Sequence, residues 1–227
     1  MAGYAQLRAL WPYVSLAWRV TGDPRFDWLA GDAGLVGVFD LDIAALIDPL
    51  AAFMRSRHRA QAAPAGQSVR GGTQTAGPLF TLEAAEIRQL RAVVLAAVER
   101  HVAAMGGCDP RHPTRQHIGR PLRFAGSWSV RLTGAGHHSN HIHPQGWISS
   151  ALYVAVPSQA EMGPAPNGWL QLGQPPPDLA GGLEPCRRIE PKPGRLVLFP
   201  SCMWHGTQPI DGGERLTVAF DVAAVGP

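Results

Sequence analysis

Asn140-His141-Ile142-His143-Pro144-Gln145-Gly146-Trp147-Ile148-Ser149-Ser150 is the stretch on which the fold turns. Side chains alternate along an extended chain, so His141 and His143 share one face while Ile142 takes the other, where it can pack into a core. Neutral imidazole is the usual donor where a borderline divalent metal must keep open positions. A third histidine follows at a distance, in Phe199-Pro200-Ser201-Cys202-Met203-Trp204-His205-Gly206-Thr207. It sits just past Leu196-Val197-Leu198-Phe199, an apolar run that begins after the turn Lys192-Pro193-Gly194, as a strand following a tight turn should. His141, His143 and His205 therefore read as three ligands from neighbouring strands on one side of a single metal ion, with the other side free for exchangeable ligands.

Ten residues beyond His205, Arg215-Leu216-Thr217-Val218-Ala219-Phe220-Asp221-Val222 alternates again. Arg215 and Thr217 fall on one face, opposite Leu216 and Val218. A guanidinium binds both oxygens of a carboxylate at once and a hydroxyl two residues on adds a further donor, so this pair reads as an anion clamp. His58, His101, His112 and His117 read as ordinary surface or core side chains. His137 and His138, beside the turn Gly134-Ala135-Gly136, read as neighbours of the site or of its entrance, or as loop residues facing solvent.

These residues resemble the iron(II)- and 2-oxoglutarate-dependent oxygenases of the double-stranded β-helix fold, in particular a bacterial branch often found behind tetratricopeptide repeats. The resemblance rests on Gly71-Gly72-Thr73-Gln74-Thr75, Ser127-Trp128-Ser129-Val130-Arg131-Leu132, Asn140 to Ser150, Pro193 to Ser201, Trp204-His205-Gly206-Thr207 and Glu214-Arg215-Leu216-Thr217. It implies a jelly-roll, cupin-like core, with iron(II) on His141 and His205 and with Arg215 and Thr217 holding the far carboxylate of 2-oxoglutarate. It also implies dioxygen as the oxidant and succinate and carbon dioxide as co-products. By the same resemblance, Ser129 and Arg131 occupy the spacing that in several branches contacts the keto acid; Tyr153, on the strand after the pair, is a further candidate. The sequence departs from the family at His143, where most members carry a carboxylate ligand. His143 either completes a three-histidine face, or turns away and leaves two protein ligands, or marks the position that related halogenases give to chloride.

Elsewhere the chain is less specific. Its 227 residues, 45% hydrophobic, suffice for one enzyme domain: mainly β, with residues 1–120 as a helical N-terminal flank and lid loop packed on a double-stranded β-helix core at 121–227. A helix is expected near 40–58, and another opens at Thr81-Leu82-Glu83 with Leu90, Val94, Val98 and Val102 at helical spacing until Gly106-Gly107 stops it. Arg70-Gly71-Gly72-Thr73-Gln74-Thr75 reads as a lid over the site or a plain surface loop, and Trp11, Tyr13, Trp18 and Trp28 as aromatic anchors of the flank. Too little chain precedes the core for a repeat domain, which is absent or removed. The net charge of +3 comes from scattered arginines and one lysine, which argues against a nucleic-acid face. Three cysteines without metal spacing, and no signal peptide or apolar span, point to the cytoplasm and away from a membrane.

The expected activity is hydroxylation of an unactivated C–H bond in an amino-acid, peptidyl or small-metabolite substrate, with Gln145, Trp147 and Gln74 as candidate substrate contacts. Two other classes remain: a three-histidine dioxygenase using no keto acid, and a cupin that binds metal without catalysis or acts as an isomerase.

Overall fold

Strand alternation organises the molecule in three layers. In the computed structural model, which describes residues 9–62, 65–179 and 182–225, the strands in chain order are β1 (Gly37–Asp40), β2 (Val69–Gln74), β3 (Leu122–His138), β4 (Ile148–Ala155), β5 (Leu170–Leu172), β6 (Arg187–Ile189), β7 (Arg195–Pro200), β8 (His205–Thr207) and β9 (Glu214–Ala224). They form a six-stranded sheet in the order β1-β7-β4-β9-β3-β2 and a three-stranded sheet in the order β6-β5-β8. Every pairing is antiparallel.

On one face of the large sheet, Leu196, Leu198, Leu216, Val218 and Phe220 pack against α2 (Ala44–Arg57) and α3 (Ala85–Ala104) through Leu50, Met54, Leu90, Val94 and Val98. Each fully buried side chain of this seam contributes roughly 1.5–3 kcal/mol. On the other face, Tyr153, Val197 and Phe199 meet Leu170, Leu172 and Ile189 of the small sheet. The double-stranded β-helix expected from the sequence is the fold observed, and its site opens between the two sheets.

The flank differs from expectation in one respect. It is not purely helical, because β1 and β2 lie within residues 1–120 and form the two edges of the large sheet. The segment from Arg70 to Gln74 is strand, not lid: β2 pairs with β3, placing Thr73 opposite Arg131 and Gln74 opposite Val130. Glycine makes this possible, since a Cβ on Gly72 would lie 2.3 Å from the Arg131 carbonyl oxygen. Polar composition suggested a loop; close backbone approach at a sheet edge requires the same residues. The α3 helix ends as its sequence predicts, with Gly106 at φ +87° beyond Met105. Trp11, Trp18 and Trp28 pack together with centroids 6.2–6.4 Å apart, Trp11 and Trp18 edge to face and Trp28 tilted against both, anchoring α1 (Trp11–Thr21). Among the described residues, no helix is long and apolar enough to cross a membrane.

Candidate metal centre and anion clamp

The three histidines are fixed by backbone before any ligand arrives. His141 and His205 form an isolated bridge, with N to O distances of 2.9 and 3.0 Å in the two directions, and the His143 amide donates to the Ser201 carbonyl at 2.9 Å. One nitrogen of each ring lies within 4.8 Å of the other two. The opposite nitrogens are all engaged by groups that can only accept. His141 Nδ1 donates to the Ser139 carbonyl at 2.8 Å, His205 Nδ1 to the Met203 carbonyl at 2.9 Å, and His143 Nδ1 to both carboxylate oxygens of Asp221 at 2.8 Å. Acceptors at Nδ1 set the tautomer, so each ring presents the Nε2 lone pair.

Burial favours the neutral form that a metal requires. It lowers His141 to about 4 and holds His205 well below its ordinary value, with repulsion between neighbouring imidazoles acting in the same direction. His138 stacks on His141 at 6.0 Å and is likewise held neutral by burial. The Ser68 hydroxyl lies 3.1 Å from His138 Nδ1 and 3.2 Å from His141 Nε2, and has one proton for the two. His138 is therefore a neighbour of the candidate ligands.

The clamp lies deeper in the same cavity of about 330 Å³, which is lined by the three histidines, Arg215, Thr217, Tyr153 and Gln74. Arg215 is 1% exposed. It donates to the Gly168 carbonyl at 2.7 Å and to Thr207 Oγ1 at 2.9 Å, while its Nε has no partner. The buried Tyr153 hydroxyl also lacks a partner, and burial raises its pKa, keeping it a neutral donor. Tyr153, Thr217 and Val130 stand side by side across β4, β9 and β3. A buried cation without a counter-charge costs several kcal/mol, which an incoming carboxylate offsets. These donors thus fit 2-oxoglutarate, as the three facing imidazoles fit iron(II).

Of the other residues expected at the site, Gln74 lines the cavity and four do not. Ser129 and Arg131 lie opposite Val218 and Leu216, on the helix-facing side of β3. Ser129 Oγ meets His58 Nε2 at 3.0 Å, and Arg131 pairs with Glu214 at 2.5 Å. The register of β3 against β9 decides this: the residues across from Thr217 and Arg215 are Val130 and Leu132, and Trp128 and Val130 face the cavity instead. Trp147 is buried against His117 at 5.4 Å in the helix-side core, and Gln145 is exposed outside the cavity. Neither lines the cavity of the site.

Sequence reading missed Asp221, Thr207 and Ser68. A signal existed for the first two: Asp221 has the parity of Arg215 and Thr217, and Thr207 has that of His205. Ser68 gave none.

Fold and site together define a class, the double-stranded β-helix oxygenases. Residues 126–221 match the sequence model of the family described as "Putative 2OG-Fe(II) oxygenase", and this match, with the three facing imidazoles, points to a 2-oxoglutarate-dependent dioxygenase using iron(II), 2-oxoglutarate and dioxygen. The comparison with curated proteins finds no match. Among solved structures, a Pseudomonas putida prolyl-4-hydroxylase is 20% identical, with 95% of this chain and 100% of that chain covered at a TM-score of 0.58. HygX from Streptomyces hygroscopicus, with nickel and 2-oxoglutarate bound, is 13% identical over 84% and 83% of the two chains at 0.54. A prolyl hydroxylase from Trichoplax adhaerens, in complex with a hypoxia inducible factor oxygen degradation domain peptide fragment, is 14% identical over 91% and 93% at 0.54. At these identities the likeness is one of fold.

Proposed function

We propose that the protein hydroxylates an unactivated C–H bond of a peptidyl, amino-acid or small-metabolite substrate. In this reading His141, His143 and His205 hold the iron, and Arg215, Thr217 and Tyr153 hold the far carboxylate of 2-oxoglutarate. The observation that carries it is the buried, carboxylate-free Arg215 in the cavity onto which the three imidazoles open.

When bound, iron(II) with 2-oxoglutarate and dioxygen supplies the oxidising power: one oxygen atom enters the substrate C–H bond and the other enters succinate, with loss of carbon dioxide. The protein's part is to bind and orient. Acceptors at three Nδ1 atoms hold the rings in place, and Arg215, braced by Gly168 and Thr207, sets the depth at which a dicarboxylate stops. Phe199, 4.7 Å from His205, and Val130 keep part of the wall dry. Trp128, 5.6 Å from His143, and Gln74 stand where a substrate would lie. A peptide in the Trichoplax complex and hygromycin B in a HygX structure occupy proteins of this fold, so both substrate classes are kept.

The test is to titrate anaerobic apoprotein with iron(II) and then 2-oxoglutarate, watching for the visible charge-transfer band of a chelated keto acid. Succinate release is then followed with peptide and small-molecule panels. A band that needs both additions and weakens in Arg215→Ala supports the reading. Tight metal binding with no band would overturn it in favour of a cupin chemistry without keto acid.

A further inference from the structure

We infer that Asp221 is a positioning residue that supplies, through His143, the negative charge this metal centre lacks at its third ligand. The inference rests on the proposed function, because it presumes that His143 binds the iron.

Both oxygens of the Asp221 carboxylate face His143, 2.8 Å from its Nδ1, and the Asp221 side chain is 16% exposed. It sits on β9 four residues beyond Thr217, with the same parity as Thr217 and Arg215, so one strand face carries both the clamp and this support. Asp221 pairs across the sheet with Ser149 on one side and Gly126 on the other. Ser149 Oγ lies 2.7 Å from Asp221 Oδ1 and 2.8 Å from Ser201 Oγ. A carboxylate only accepts, so Ser149 donates to Asp221 and takes the Ser201 proton, while His143 Nδ1 donates from the other side: the bonds from Ser201 through Ser149 and from His143 converge on Asp221. Gly146 packs closely over this network, since a Cβ there would lie 2.4 Å from Ser201 Oγ.

The chemical consequence follows from charge. Three neutral imidazoles leave a divalent ion with no anionic protein ligand. A carboxylate hydrogen-bonded to the far nitrogen of one imidazole makes that ring a stronger donor and fixes its orientation. His141 and His205 have neutral carbonyls at the equivalent position. The three ligands are thus inequivalent, and His143, which stands where the family has a carboxylate, is the one backed by a carboxylate.

The experiment compares wild type, Asp221→Asn and Ser149→Ala for iron(II) affinity and for the energy of the charge-transfer band with 2-oxoglutarate. Asp221→Asn keeps shape and removes charge, and is expected to weaken iron(II) binding about 10- to 100-fold and to move the band to higher energy. Ser149→Ala removes a donor from the carboxylate, makes it a better acceptor for His143, and is expected to move the band the opposite way. A structural role would not give shifts of opposite sign. If Asp221→Asn does not fold, the Ser149→Ala shift alone decides. Unchanged affinity and band energy in the variants, with a normal band in wild type, would overturn this inference and leave the proposed function standing; absence of the band in wild type would overturn the function itself.

Discussion

Thr207 Oγ1 lies 2.9 Å from the Arg215 guanidinium and also 2.9 Å from the backbone nitrogen of His138, so one hydroxyl on β8 ties the clamp to the wall of the metal centre. His205 is two residues away on the same short strand. Thr207→Val keeps the volume and removes the acceptor, leaving two buried donors short of a partner. Loss of about 1–3 kcal/mol at the clamp predicts a KM for 2-oxoglutarate raised roughly 5- to 100-fold, with iron(II) affinity little changed. An unaltered KM would mean that Thr207 does not hold the arginine.

Arg215→Met separates stability from function. The arginine is buried without a carboxylate partner, and an apolar chain of similar length removes that desolvation cost at the expense of two hydrogen bonds. Thermal unfolding of the ligand-free variant is expected at or above the wild-type temperature, while the upward shift that 2-oxoglutarate gives the wild type disappears. A ligand-free variant that melts well below wild type would assign Arg215 a structural role.

Ser129→Ala and Arg131→Ala test the register of β3. Both side chains face the helices, so KM for 2-oxoglutarate should stay within about two-fold of wild type. Stability should fall by about 1 kcal/mol for Ser129, which bonds His58, and by less for Arg131, whose pair with Glu214 is partly exposed. A large rise in KM for either would require the opposite facing of the strand.

Acid sensitivity should arise in part far from the metal centre. His101 on α3 is 3% exposed, packs on Phe39, and is lowered by burial to about 4. The folded state therefore binds fewer protons than the unfolded one between pH 6.5 and about 4. Stability from this group is present above that window and lost as pH falls through it, on the order of 3 kcal/mol at most. Urea unfolding of wild type and His101→Leu at pH 7 and pH 4.5 should show a shallower decline in the variant. Equal declines would place the sensitivity elsewhere.

What the sequence revealed follows from the range over which its signals act. Arg215 and Thr217 lie on β9 and line the cavity, as the period of a strand predicts; His141 and His143 also line it, but through an isolated bridge at His141 and no regular strand, and Ile142, expected to face a core, lines the same cavity. That His205 joins His141 and His143 needed a spatial guess; in the structure it bridges His141, and the three rings lie close together. Ser129 and Arg131 went astray because their facing depends on the register between β3 and β9, with an irregularity between Phe124 and Gly126; no local pattern encodes that. The glycines at 71 and 72 were read as part of a lid or surface loop where the fold uses them for close approach. Asp221 was visible by parity, yet an aspartate among apolar strand residues declares a partner only once His143 is seen beside it.

The position of β9 has a further consequence. Its backbone is hydrogen-bonded to β3 along one edge and to β4 along the other, so the amides from Arg215 to Asp221 exchange with solvent only when the large sheet itself opens. In deuterium exchange these amides should rank among the slowest in the protein, with or without 2-oxoglutarate. The receptor is then built before its guest arrives, and association proceeds without the heat-capacity change of a folding segment.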